Sequence, residues 1–140
     1  MENAAVILIL YVDDIILTGS STSAIQHVKE GRLSKLFMSD LGAVSVLLGI
    51  KINRNRSSGH LQLSQDHYVK SILERFNMSQ CNPTTTPADG IIDSSGTPLD
   101  SAGIHLYQEL VGSFIYLATC NRPDIAFAVM RLSRFMAKPT

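Results

Sequence analysis

Two apolar runs, Val6–Val12 and Ile15–Leu17, are separated only by Asp13 and Asp14. Short β-branched runs around a two-residue polar step predict a hairpin with the two aspartates at its tip. Gly19 to Ser23 is a break rich in helix-capping residues. Ile25, Val28, Leu33, Leu36 and Phe37 follow at near-helical spacing and predict an amphipathic helix, with Lys29, Arg32 and Lys35 on its other face. Gly31 lies in its middle and costs roughly 1 kcal/mol relative to Ala. Asp40-Leu41-Gly42 ends this helix. Val46–Asn53 and the alternating His60–Leu63, joined through Ser57-Ser58-Gly59, predict a second hairpin. Ser64 then caps a helix whose apolar stripe is Tyr68, Val69, Ile72, Leu73 and Phe76.

Asn82 to Gly103 holds three prolines and many Ser, Thr and Asp, too little apolar surface to bury, and predicts a linker. Beyond it, Tyr107, Leu110, Val111, Phe114, Ile115, Leu117 and Ala118 predict a strongly apolar helix. Arg122-Pro123-Asp124 restarts the chain, because proline suits the first helical position and an early Asp suits the helix dipole. A last helix presents Ile125, Val129, Leu132, Phe135 and Met136. The expected fold class is α+β, with one lobe over 1–81, a linker over 82–104 and a helical hairpin over 105–140.

A 140-residue chain that is 45% hydrophobic and 17% charged can bury a core without staples. Cys81 and Cys120 lack metal-ligand or disulfide spacing, which leaves a reduced, intracellular setting as the expectation. Ala4–Val12 is about half the ~18 residues that cross a bilayer, so neither a membrane partner nor a targeting signal is expected. The 12 basic and 12 acidic groups cancel, yet they are segregated: −3 over residues 1–21, +4 over 22–80, −4 over 81–124 and +3 over 125–140. Local field rather than net charge governs polyanion binding, so a nucleic-acid partner stays open beside plain solvated helix faces.

The chemically loaded feature is the carboxylate pair. Neighbouring like charges repel unless a cation or water neutralises them, and hard divalent cations need rigidly placed oxygen ligands. Nucleotidyl transfer uses such pairs to hold two metal ions. Successive strand residues face opposite sides, so only a tight turn lets Asp13 and Asp14 serve one site. The plain alternative is a solvated Asp-Asp turn.

Tyr11-Val12-Asp13-Asp14 between aliphatic strands matches the Y-x-D-D signature of reverse transcriptases. Leu8–Gly19, Asp40–Ile52, Gly59–Val69, the Thr86-Pro87 step and Tyr107–Val129 resemble, in order, successive blocks of the reverse transcriptase of copia-type LTR retrotransposons. The resemblance implies that Asp13 and Asp14 ligate Mg²⁺ or Mn²⁺ in a palm subdomain, with Tyr11 and Val12 near the primer terminus and incoming nucleotide. It implies a primer-grip strand at Leu47-Leu48-Gly49-Ile50, with Leu48 and Gly49 positioning the 3′ end, and a thumb formed by the last two helices. The implied partners are an RNA or DNA template-primer, deoxynucleoside triphosphates and the remaining regions of a Pol polyprotein. Lys51, Arg54 and Arg56 could touch phosphates, or could be a solvated hairpin end. Arg122 is expected to cap the preceding helix. His27, His60, His67 and His105 lack ligand spacing and read as surface or partly buried residues. Tyr107 and Phe114 read as core rather than as base-stacking platforms.

The family's third metal-binding aspartate and its fingers lie upstream of Y-x-D-D, and only ten residues precede Tyr11 here. Two carboxylates without the third should hold the metal weakly. The rival readings are a retroelement relic with only nucleic-acid binding or no activity, and a small α+β interaction domain. The expected outcome for these 140 residues alone is no templated incorporation of labelled deoxynucleotide on a primed homopolymer. Incorporation that Asp13→Asn abolishes would overturn this expectation.

Overall fold

In a computed structural model, the structure describes residues 4–31, 35–36, 38–88, 90, 92–93 and 95–140. The chain is a mixture of helix and sheet arranged in two compact units, 1–44 and 45–140. The boundary between units falls after Val44. The second hairpin region and its following helix thus share a unit with the C-terminal helices, and the proline-rich stretch 82–104 runs inside that unit.

In the first unit β1 (Val6–Tyr11) pairs antiparallel with β2 (Asp14–Gly19), from Val6 opposite Gly19 to Tyr11 opposite Asp14. Gly19 is required at the open end of this ladder, because a Cβ there would lie 2.7 Å from the Ala5 carbonyl oxygen. Helix α1 (Thr22–Gly31) packs against β2. The Ser21 hydroxyl accepts from the Ala24 amide at 3.3 Å and supplies the first-turn cap. The expected helix ran on to Phe37. The described helix ends at Gly31, and the expectations for Arg32, Leu33 and Phe37 fall outside the described residues. Asp40 closes the unit: Lys29 Nζ donates to its carboxylate at 2.8 Å, and the Gly42 amide donates to it at 3.0 Å. That hydrogen bond from Lys29, then the one from Gly42, holds the Asp40 carboxyl below its ordinary pKa.

In the second unit the expected long strand Val46–Asn53 is two strands. β3 (Val46–Leu47) turns back through Leu48-Gly49 into β4 (Ile50–Asn55), which pairs with β5 (His60–Ser64). Leu48 at φ 50° and Gly49 at φ 76° explain the break. Left-handed backbone at both loop residues is the type I′ turn, whose twist matches that of the flanking strands. Helix α2 (Asp66–Arg75) follows, with Gln65 as N-cap and the Ser64 hydroxyl accepting from the Asp66 amide at 3.2 Å.

Helix α3 (Ser101–Cys120) begins inside the expected linker, because the Asp100 side chain accepts from the Gly103 amide at 2.8 Å and caps it. A short 3₁₀ turn, Pro123–Ile125, leads into α4 (Ala126–Ser133), which stops short of the expected Met136. The Arg122 guanidinium does not cap α3 as expected. It grips Asp124 at 2.7 Å, while the Arg122 backbone N–H bonds the Leu117 carbonyl at 3.0 Å.

The apolar core is helical: Ile72 of α2, Val111 and Leu117 of α3, and Ala128 and Val129 of α4 are buried. Tyr107, half-buried at the edge of this core, ties α3 to α4 by donating to the Leu132 carbonyl at 2.8 Å. Among the described residues no helix is long and apolar enough to cross a membrane. Both cysteines are free.

Burial holds the Tyr107 phenol above its ordinary pKa. A phenol pKa raised by folding stabilises the chain below the unfolded value of about 10, and that contribution disappears as pH rises through the folded value. Urea midpoints should therefore fall above about pH 10. Tyr107→Phe should cost about 1 kcal/mol at neutral pH by losing the Leu132 hydrogen bond, and should flatten part of the alkaline decline.

Candidate active-site hairpin

The β1–β2 register moves the tip one residue from its expected place. Tyr11 opposes Asp14, so the two loop residues are Val12 and Asp13, and Asp14 is the first residue of β2. Val12 has φ 50°, and Asp13 is not among the positive-φ residues. This sign pattern belongs to a type II′ turn, whose first loop position favours glycine. A β-branched residue there is a backbone outlier, costing on the order of 1–3 kcal/mol. The turn residues of sequence-based reasoning are Asp and Gly, so the sequence pointed to Asp13-Asp14 rather than Val12-Asp13.

The register also sorts the faces. Ile9, Tyr11, Asp14 and Ile16 lie on one face of the hairpin, and Leu8, Leu10, Ile15 and Leu17 on the other. Asp14 thus shares a face with Tyr11, while Asp13 rides on the turn itself. Tyr11, Val12, Asp13 and Asp14 are all exposed. Only Asp13 is in the turn, and Asp14 is adjacent to it at the start of β2. As a donor set, two exposed carboxylates fit a hard divalent cation that takes its remaining ligands from water and phosphate oxygens. Among the described residues no group of three or more His, Cys, Asp or Glu side chains is gathered for a metal. The four histidines are exposed and scattered. A hollow of about 480 Å³ in this unit is lined by Ala4, Val6, Ala24, His27, Val28 and Gly31, at the opposite end of the hairpin from the aspartates.

The remaining expected site residues belong to the second unit. Leu48 and Gly49 form a turn tip rather than a strand, and the Tyr116 hydroxyl of α3 donates to the Leu48 carbonyl. Tyr116 was missed in the sequence, where Tyr107–Ala118 read as one apolar helix. Lys51, Arg54 and Arg56 are exposed but do not make one patch. Lys51 shares a face with Asn53, Asn55, His60, Gln62 and Ser64, with Val46 of β3 opposite it at the sheet edge, whereas Arg54 follows Ile50 and Ile52 onto the face of Leu47, Leu61 and Leu63. Arg56 lies in the β4–β5 turn. From Ser45 to Ser64 the sequence holds no acidic residue.

A family model described as reverse transcriptase (RNA-dependent DNA polymerase) matches residues 1–90. The chain belongs to the reverse transcriptase family. It is a stretch of the reverse transcriptase of a copia-type retroelement. It is 43% identical over 99% of its length to the retrovirus-related Pol polyprotein from transposon TNT 1-94 of Nicotiana tabacum, and 36% identical over 96% to that from transposon RE1 of Arabidopsis thaliana. A mitochondrial protein of Arabidopsis thaliana is 38% identical over 95% of the chain. The chain spans 11% and 9% of the two polyproteins and 54% of the mitochondrial protein. No solved structure matches it.

Because the strain at Val12 comes from its Cβ and branching, Val12→Gly should be neutral or stabilising by up to about 1 kcal/mol, net of the entropy glycine adds to the unfolded chain. Ile9→Gly in the middle of β1 should cost about 1 kcal/mol or more. Urea unfolding together with cross-strand NOEs between Tyr11 and Asp14 reads both. Loss of those NOEs in Val12→Gly would refute the turn assignment.

Proposed function

We propose that this chain is palm and thumb of an RNA-directed DNA polymerase whose reaction is templated nucleotidyl transfer. The observation that carries the reading is the exposed Asp13-Asp14 pair at a two-residue turn of an apolar hairpin, inside the span matched by the family model. In this reading 1–81 is palm, 82–104 is linker and 105–140 is thumb.

Asp13 and Asp14 would hold Mg²⁺ or Mn²⁺. Bound divalent ions supply the acidification of an attacking 3′-hydroxyl and the neutralisation of triphosphate charge. The chain's own part is placement. Asp13 on the turn and Asp14 on the first residue of β2 are held by a six-pair ladder, so their backbones move as one body. Tyr11, on the face of Asp14, offers an aromatic surface beside the carboxylates for a primer terminus or nucleotide, and Val12 forms the adjoining rim. The Leu48-Gly49 tip positions the 3′ end. Correct placement of reacting groups can supply several kcal/mol of the barrier reduction.

The polar face of β4–β5, with Lys51 and His60 and no carboxylate, suits a sugar-phosphate backbone, which is recognised by charge and hydrogen bonds without sequence preference. Arg54 lies on the other face and takes a different phosphate or none. Exposed apolar side chains along β1, Ile7 through Tyr11, suit a sheet that other regions of the polyprotein extend and cover.

The test is binding of an RNA–DNA hybrid to the chain across a salt series, with Mn²⁺ as a paramagnetic probe. Log affinity should fall linearly with log salt, Lys51→Ala should reduce the slope by about 1, and Arg54→Ala should change it less. Mn²⁺ should broaden the amide signals of Asp13 and Asp14, and Asp13→Asn/Asp14→Asn should remove that broadening. Binding without salt dependence, or broadening centred elsewhere, refutes the reading.

A further inference from the structure

The Leu48-Gly49 turn is unusual in being held from outside its own hairpin. Leu48 is a γ-branched residue at φ 50°, a conformation that a side-chain-bearing residue rarely adopts. A type I′ turn between strands as short as β3, two residues long, has little ladder to enforce it. The enforcement comes from α3. The Tyr116 hydroxyl donates to the Leu48 carbonyl, 68 residues away in sequence. Gly49 follows immediately, and a Cβ built on it would lie 4.0 Å from the same hydroxyl oxygen.

Tyr116 is itself fixed. Its ring meets Tyr68 of α2 edge to face, with centroids 5.1 Å apart and planes at 89°. This is a favoured aromatic geometry, and it fixes the ring whose hydroxyl reaches the turn. Beneath it lies Gln65, 3% exposed, whose amide atoms make no hydrogen bond of ordinary geometry among the described residues. Burial first, then Cys120 and Tyr68, hold the Tyr116 phenol above its ordinary pKa, with the Gln65 amide pulling slightly the other way. The hydroxyl therefore keeps its proton at neutral pH and remains a donor.

We propose that Tyr116 is a positioning residue, whose hydroxyl anchors the Leu48 carbonyl so that the Leu48-Gly49 tip presents one fixed surface to the 3′ end of a nucleic-acid strand. The inference rests on the functional reading above, in which that tip holds a primer. It adds that the tip and helix α3 are one mechanical piece, so a helix that follows a duplex carries the 3′-end support with it. Glycine at 49 is needed for its positive φ, and a Cβ there would make only ordinary van der Waals contact with the tyrosine hydroxyl.

Tyr116→Phe removes the hydroxyl and keeps the ring against Tyr68. Tyr68→Phe keeps the same edge contact and is the control. Two measurements are made on the 140-residue chain: amide hydrogen exchange at Ile50, the first residue after the turn, and affinity for an RNA–DNA hybrid with a recessed DNA 3′ end against a blunt hybrid of equal length. Tyr116→Phe should speed Ile50 exchange by about five- to tenfold, as expected for one lost hydrogen bond. It should also reduce the preference for the recessed end while blunt-end affinity stays within error, and Tyr68→Phe should match the unmodified chain. Unchanged exchange, or an equal loss of affinity for both hybrids, overturns the proposal, because a merely structural tyrosine would weaken both alike. If the unmodified chain binds neither hybrid, the functional reading falls and takes the primer role with it. If it binds and prefers the recessed end but Tyr116→Phe leaves that preference intact, only the role of Tyr116 falls.

Discussion

A two-residue hairpin loop leaves the backbone almost no choice. Strands twist right-handed, and the loops that join them without splaying them need left-handed φ at one or both residues. The chain accepts this constraint at Val12 and at Leu48, both at φ 50° and neither a residue that adopts it readily. Strain of this kind persists only where surrounding structure over-determines it. At Val12 the six paired residues of β1 and β2 do so. At Leu48 the ladder is two residues long, and the support is Gly49 together with the Tyr116 hydroxyl. Both segments proposed to take part in the chemistry thus sit on turns whose aim is fixed by something other than local preference.

Burial is distributed unevenly, and the distribution follows from the same architecture. Apart from Pro139, the buried apolar side chains among the described residues belong to α2, α3 and α4, where stripes at helical spacing meet one another. The β1–β2 hairpin instead keeps Ile7 through Val12 about half exposed or more. A two-stranded sheet has too few neighbours to cover both faces, and it is marginally stable in isolation. The first unit relies on α1 against β2 and on the Lys29–Asp40 ion pair, which lies at the surface and contributes little by itself. The carboxylates therefore stand on the less buried of the two units, and the Leu48-Gly49 turn on the better packed one.

Much of this was legible in the sequence, and the misses share a cause. The first hairpin, α2, α3 and the restart at Pro123 follow directly from periodicity and caps. The tip was misplaced by one residue because Asp favours turns and Val does not, whereas the ladder from Val6–Gly19 to Tyr11–Asp14 outweighs that local preference. The strand Val46–Asn53 hid a turn because its apolar run read as continuous; Gly49 was the available signal, since glycine inside a strand marks a bend or a close approach. The start of α3 was placed late because Pro98 and Gly103 outweighed Asp100, whose side chain is the actual cap. Arg122 was given a helix end to cap, but a carboxylate two residues on offered a bidentate partner. Tyr116 could not be assigned at all, because a contact across 68 residues leaves no trace in local pattern.

Sequence blocks and strand register constrain different things in this chain. Ordered blocks of similar sequence identify the reverse transcriptase family, because they sample nearly the whole chain. They do not say which way a residue faces. Lys51 and Arg54 lie in one basic stretch, yet their odd separation along β4 sends them to opposite faces. A run of basic residues in a strand is therefore two half-patches, and in the proposed reading it is the half that shares its face with Asn53, Gln62 and Ser64 that lies against a sugar-phosphate backbone. Sequence similarity identifies the family, and the period of the strand decides which side chains share a face.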